Sequence, residues 1–296
     1  MRFALAKQVT DQAEGLRRLL SKSGSRVVAV TGGPAGVGCT STVVNLAAAL
    51  AALGKDVLVI DERLGTNSVS AMLGGLHGAG SLRALMNGEI ALEQACARHD
   101  LGFSVLAASR ENCAGFSAAQ LSLLLRGPAD VVLVDARLDR QGALSPLAAQ
   151  AHDVLIVTRV AASAITEAYA CMKRLHFEHA IAQFRVLVNH VSSLSDAQTT
   201  FENLAEVAAR YLTVSIEDAG CVAADPLMER SLELGRCVVD AFPSAQSARD
   251  FRHVAAEMLY WPMRPAMSSP RAEVTARSAM PASALADASV ADRQHA

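Results

Sequence analysis

Residues 32–41 read Gly32-Gly33-Pro34-Ala35-Gly36-Val37-Gly38-Cys39-Thr40-Ser41, with four glycines in the first seven positions. Glycine backbones turn tightly and aim successive N–H groups at an anion, and a helix starting behind them adds its positive end. From Gly33 the spacing is G-x-x-x-x-G-x-T, that of a loop that cradles phosphates, with the Thr40 hydroxyl placed for Mg²⁺. A bare strand-to-helix turn, the bland alternative, has no need of that spacing or of Ser41 behind it. The chemistry wants lysine at position 39, where the chain has Cys39, and a thiolate there would repel phosphate. Each charge-assisted bond from such a lysine is worth about 1.5–3 kcal/mol, so its loss weakens binding by about one to two orders of magnitude. Hydrolysis suffers more, because the same cation stabilises charge that grows in the transition state. The expected nucleotide site is Gly33, Gly36, Val37, Gly38, Cys39, Thr40 and Ser41.

Two carboxylates end apolar runs, Asp61 after 57–60 and Asp135 after 131–134. Carboxylates at strand ends suit Mg²⁺, and with Thr40 they form the expected metal set. Polar strand termini without a ligand are the alternative. Arg63 reads as a solvated surface arginine, with a substitute cation on the phosphate as the second reading. The six cysteines are scattered with no C-x-x-C pair, which argues against zinc and a disulfide framework. They read as small apolar core residues.

Strands are expected at 27–31, 57–61, 103–107, 131–135, 154–158, 185–189 and about 212–216, and helices at 41–53, 81–86, 117–125, 163–176, 196–211, 227–235 and 247–259. Several strands are continuously apolar, as in a sheet covered on both faces. The alternation implies an α/β fold, a mostly parallel twisted sheet with helices on both faces. Ligands of such sheets sit beyond the C-terminal strand ends, which puts Thr31, Asp61, Asp135, Thr158 and Asn189 on one rim.

Ahead of the first strand lies a basic arm, 1–26, with six basic and two acidic residues. Within it 11–20 reads as a short helix, Asp11 capping with Glu14 three residues on and Ala13, Leu16 and Leu20 on one face. The main domain is 27–262, and 263–296, rich in Ala, Ser and Pro, is expected to be disordered. The helix 247–259 carries Phe251, Val254, Ala255, Met258 and Leu259 on one stripe. Its polar face mixes both charge signs, so packing on the sheet is favoured over membrane anchoring. A net charge of −2 gives no signal for specific nucleic acid. No run reaches about 18 apolar residues and no secretory signal is evident, so a cytoplasmic location is expected.

These residues resemble the MinD/ParA family of deviant Walker ATPases (the SIMIBI class of P-loop NTPases), and within it the flagellar regulators of the FlhG (FleN, YlxH) type. The family loop K-G-G-x-G-K-T/S aligns with residues 34–40, where Pro34 and Cys39 replace both lysines. The block D-A-D-L-G-x-x-N appears as residues 61–67, where Asp61 and Asn67 match and Arg63 replaces the catalytic aspartate. Of the D-T-x-x-G block only Asp135 survives, Asp139 standing at the glycine. Residues 158–173 look like the family's T-x-P-E-P-x-S-I-T-D-A-Y segment. Asn189 matches the base-facing asparagine, and Asp225-Pro226 the adenine-side D-P element. The segment DQAEGLRRLL is close to the D-Q-A-x-x-L-R motif that marks the FlhG type.

The resemblance implies ATP or ADP with Mg²⁺ as ligand, weakened or lost here, and a site without confident catalytic residues. It implies partner contacts through Asp11, Gln12, Leu16 and Arg17 to an SRP-type GTPase like FlhF. A homodimer, flagellar basal-body partners and peripheral attachment to the inner face of the cell membrane are further implications. The expected function is control of flagellar number or placement by a pseudo-ATPase. A slow ATPase that dimerises on membrane is the alternative, and a ParA-like DNA segregation factor ranks last.

Overall fold

The computed structural model describes residues 24–33, 35–63, 65–74, 76, 80–109 and 113–265. The arm helix expected at 11–20, Pro34 and the tail from 266 onward lie outside them. The described strands are β1 (Arg26–Gly32), β2 (Val57–Asp61), β3 (Ala97–Arg98), β4 (Ser104–Ala107), β5 (Val131–Asp135), β6 (Asp153–Arg159), β7 (Gln183–Val191) and β8 (Ser215–Ala223). The helices are α1 (Cys39–Ala52), α2 (Val69–Met72), α3 (Leu82–Met86), α4 (Leu92–Ala95), α5 (Ala118–Leu125), α6 (Ala162–His179), α7 (Leu194–Leu212), α8 (Pro226–Glu233), α9 (Val238–Ala241) and α10 (Gln246–Met258).

The strands form one sheet in the order β3-β4-β2-β5-β1-β6-β7-β8. All pairings are parallel except that of the short β3 with β4. Neighbouring side chains along the central strands enter opposite cores. Val28 and Val30 of β1, with Leu133 and Val157, pack under α1 and α10. Val27 and Ala29, with Val134 and Ile156, pack under α6 and α7. Two-sided burial is why these runs are continuously apolar. Full burial of each valine, leucine or isoleucine among them contributes about 1.5–3 kcal/mol.

Helix α1 begins where Gly38 takes φ 101°, a left-handed turn open to glycine. Its alanines and leucines lie close to the sheet, and residues 42–50 are all buried. Helix α10 lays Phe251, Val254, Ala255 and Met258 against α1 and β8, so the apolar stripe seen in the sequence faces the domain interior.

Two expectations need correction. The strand placed at about 212–216 lies at Ser215–Ala223, and Leu212 instead ends α7, with Thr213 left-handed behind it. Among the described residues this strand pairs only with β7, and it is half exposed, so it tolerates Glu217 and Asp218, which hide it from a search for apolar runs. Arg264, assigned to the disordered tail, belongs to the domain. It pairs with Asp153 at 3.2 Å and with Glu217, and is 14% exposed.

At the end of the sheet opposite the loop, Asp153 is the hub of a buried ion cluster. It accepts from Arg26 Nη1 and from Arg185 Nε, each at 3.1 Å, while Arg26 also donates to the Trp261 carbonyl. The Arg185 guanidinium stacks 4.1 Å from the Trp261 ring centroid. The segment after α10 is thereby fastened to the starts of β1, β6 and β7.

Candidate phosphate-loop site

Parallel register brings the two rim carboxylates together. Asp61 and Asp135 are paired positions of the neighbouring strands β2 and β5, both buried. Thr40, in the first turn of α1, donates its hydroxyl to Asp135 Oδ2 at 2.6 Å, and the Asn67 carbonyl oxygen lies 3.2 Å from Thr40 Oγ1. Asp61 accepts the backbone N–H groups of Arg63 at 3.0 Å and of Val69 at 2.9 Å, the second at the start of α2. The expected trio Thr40, Asp61 and Asp135 is thus assembled, with Asn67 beside it.

Arg63 is not a solvated surface arginine. Its Nε donates to Asp135 Oδ1 at 2.9 Å and its Nη2 to the Ala136 carbonyl at 3.3 Å, leaving the side chain 27% exposed. The carboxylate of Asp135 therefore bridges a guanidinium and a hydroxyl, one on each oxygen. Burial would lower the Arg63 guanidinium, but the nearby negative charge, Asp135 foremost, raises it. Asp135 is raised by burial against the pull of Arg63 and the Thr40 bond. Burial and the neighbouring Asp135 push Asp61 up to about 6, although backbone donors hold it down.

Cys39 is buried among apolar residues, and burial pushes its thiol up to about 12 against the pull of Arg63. The thiol stays protonated at neutral pH, because a low-dielectric surround disfavours the charged form. An apolar residue, not a negative charge, stands where the loop chemistry wants a cation.

The loop is fixed from two sides. A Cβ on Gly33 would sit 2.5 Å from the Glu167 carbonyl carbon and 2.6 Å from the Ala168 nitrogen, so the loop lies directly on the backbone of α6. Asn189, near the end of β7, donates from Nδ2 to the Val37 carbonyl at 2.8 Å, and its Oδ1 accepts the His190 N–H. Gly36, like Gly38, has positive φ, at 81°. Ser41, half-buried, contributes its carbonyl to the Asn45 amide.

Asp225 and Pro226 follow the C-terminal end of β8, whose Val222 pairs with Asn189. Asp225 caps α8 by accepting from Leu227 N at 2.9 Å and takes both N–H and hydroxyl of Ser247, tying α8 to α10. Pro226 fills the first helical position, where no N–H is needed.

Sequence reasoning missed Glu62. It is fully buried beside Asp61 and holds the segment after β5 by accepting from the Arg137 N–H at 3.1 Å and from the Ser145 hydroxyl. An acid directly behind a strand-terminal aspartate was the available signal. Among the described residues no group of three or more His, Cys, Asp or Glu is arranged to hold a metal ion.

Known proteins place this geometry in context. Residues 28–232 match the family profile described as the CobQ/CobB/MinD/ParA nucleotide binding domain. The chain is 30% identical over 246 residues to the antiactivator FleN of Pseudomonas aeruginosa, covering 80% of this chain and 88% of that protein. It is 25% identical over 229 residues to the flagellum site-determining protein YlxH of Helicobacter pylori, covering 71% and 74%. The solved septum site-determining protein MinD of Pyrococcus horikoshii, complexed with Mg-ADP, superposes with TM-score 0.61 at 20% identity, over 79% of this chain and 96% of that one. That likeness concerns the fold.

Proposed function

The chain belongs to the CobQ/CobB/MinD/ParA nucleotide-binding family, and from that premise we propose that it regulates flagellar number or placement. It acts through Asp11, Gln12, Leu16 and Arg17 on an SRP-type GTPase like FlhF, and its own phosphate loop turns ATP over slowly or not at all. The observation that carries the flagellar reading is the similarity to FleN along 88% of that protein, with YlxH matched as well. Each is named for flagellar or antiactivator control, which favours a binding and regulatory role over an enzyme.

The site supports the loss of turnover. The position of the catalytic aspartate carries Arg63, bonded to Asp135, and the lysine position carries a buried neutral thiol. The arginine has no carboxylate with which to orient the attacking water, and the thiol cannot meet the negative charge that grows on a transferring phosphoryl group. What remains is the loop backbone and the start of α1, which suffice for recognition of an anion but not for its hydrolysis. The short arm then becomes the working surface, an amphipathic segment of the kind that seats in a partner's groove.

Deletion of residues 1–25 tests the reading. The truncated chain should lose all stimulation of the partner's GTP hydrolysis while keeping its melting temperature. Unchanged stimulation sinks the proposal.

A slow ATPase switch is the second reading, favoured by the intact loop backbone with its left-handed Gly36 and Gly38. Phosphate release by the wild-type chain and by Cys39→Lys separates the two. Clear wild-type turnover selects the enzyme.

A further inference from the structure

The fold family implies a magnesium ion beside the phosphate loop, and the residues here do not fit one. A divalent ion needs oxygen ligands with lone pairs free to face it. Both oxygens of Asp135 are engaged, one by the Thr40 hydroxyl proton at 2.6 Å and the other by the Arg63 guanidinium at 2.9 Å, so a cation already sits on this carboxylate. Asp61 spends its two oxygens on the N–H groups of Arg63 and Val69. An ion brought to this cluster would stand against a guanidinium already bonded to its principal carboxylate.

The same guanidinium has donors in hand. Of its five N–H groups, one goes to Asp135 and one to the Ala136 carbonyl, and the side chain keeps 27% exposure. A guanidinium with spare donors matches the oxygens of a phosphate in a planar, two-pronged fashion, and it is always charged. It is also covalently part of the segment that follows β2, so it arrives with the fold rather than with the ligand.

We propose that Arg63 is the resident cation of this site: bonded to Asp135, it excludes a divalent ion, so that nucleotide binds here without metal. The loop amides and Arg63 together then receive the phosphates of a free, metal-less adenosine nucleotide. This deepens the reading of the loop as a nucleotide site and rests on it.

Calorimetric titration of the full-length chain with ADP, once in EDTA and once in excess Mn²⁺, tests the idea. The expected wild-type affinity is no higher in Mn²⁺ than in EDTA and falls as Mn²⁺ draws ADP into its own complex, and the protein-bound nucleotide shows no paramagnetic broadening. Arg63→Ala should lose about tenfold or more in EDTA, as charge-assisted bonds to phosphate disappear, and should recover part of it in Mn²⁺. Arg63→Lys, which keeps a cation and guards against a folding defect, should still bind ADP in EDTA, with an affinity no higher in Mn²⁺. Wild-type affinity that rises tenfold or more with Mn²⁺ overturns the resident-cation proposal and leaves the nucleotide site standing. No ADP binding in either buffer overturns the nucleotide reading and the proposal with it.

Discussion

The side-chain amide of Asn189 is the clasp of the phosphate loop, its Nδ2 lying 2.8 Å from the carbonyl of Val37, 152 positions earlier in the chain. Strand β7 thus sets the height of the loop. The family resemblance gives Asn189 a place opposite a nucleotide base, and the bond to Val37 gives it a second task, holding Gly38 against the strand.

That contact leaves no room at Gly38, where an added Cβ would collide with Asn189 Nδ2 at a φ of 101°. Gly38→Ala is expected to cost about 2 kcal/mol or more, from left-handed strain and the displaced amide. Urea unfolding of Gly38→Ala, Asn189→Ala and the double variant checks this. The two losses should sum to more than the double variant shows.

Gly33→Ala addresses the other side of the loop. The new Cβ would meet the backbone of Glu167 and Ala168, which cannot rotate away as a side chain could. Overpacking of this kind costs on the order of 1–3 kcal/mol. Hydrogen exchange should accelerate at the amides of residues 36–41 and at the start of α6, and leave β8 unaffected.

Asp153 is a buried hub whose side chain is 0% exposed. Asp153→Ala leaves the Arg26 and Arg185 guanidinium groups facing one another without their carboxylate, and breaking such a buried pair costs about 3–5 kcal/mol. A chain ending after 265 should melt like the full-length protein, whereas one ending after 262 should melt lower for want of Arg264. Equal melting of the two truncations would show that Arg264 contributes nothing.

Acid sensitivity is expected at His152. Its Nδ1 accepts the Val27 N–H at 2.9 Å, which requires a neutral ring, and burial holds it below its ordinary value of 6.5 despite the pull of Asp153. Below 6.5 the unfolded chain therefore binds more protons at this residue than the native one. Its contribution to stability is present above that value and is lost as pH falls through the lower native one. His152→Asn puts an amide oxygen near the place of Nδ1 and does not titrate. Unfolding midpoints between neutral and mildly acidic pH should fall less steeply for that variant than for the wild-type chain.

The sequence by itself determined the class of the fold, the loop and most of the rim. Those signals are local: the four-residue apolar runs at 57–60 and 131–134, the glycine spacing behind β1, and the apolar stripe of α10 follow from the period of a strand or helix and the turning power of glycine. Only tertiary structure decided what the charged residues do. Arg63 meets Asp135 across 72 positions because β2 and β5 are neighbours in register, and Arg26 meets Asp153 across 127 because β1 and β6 are. The edge strand β8 was obscured by its acids, since one unpaired side lets Glu217 and Asp218 reach water. A charge reads as solvated along the chain until the order of the strands fixes its neighbour, and at Arg63 that order turned an apparent surface residue into the ion-pair partner of Asp135.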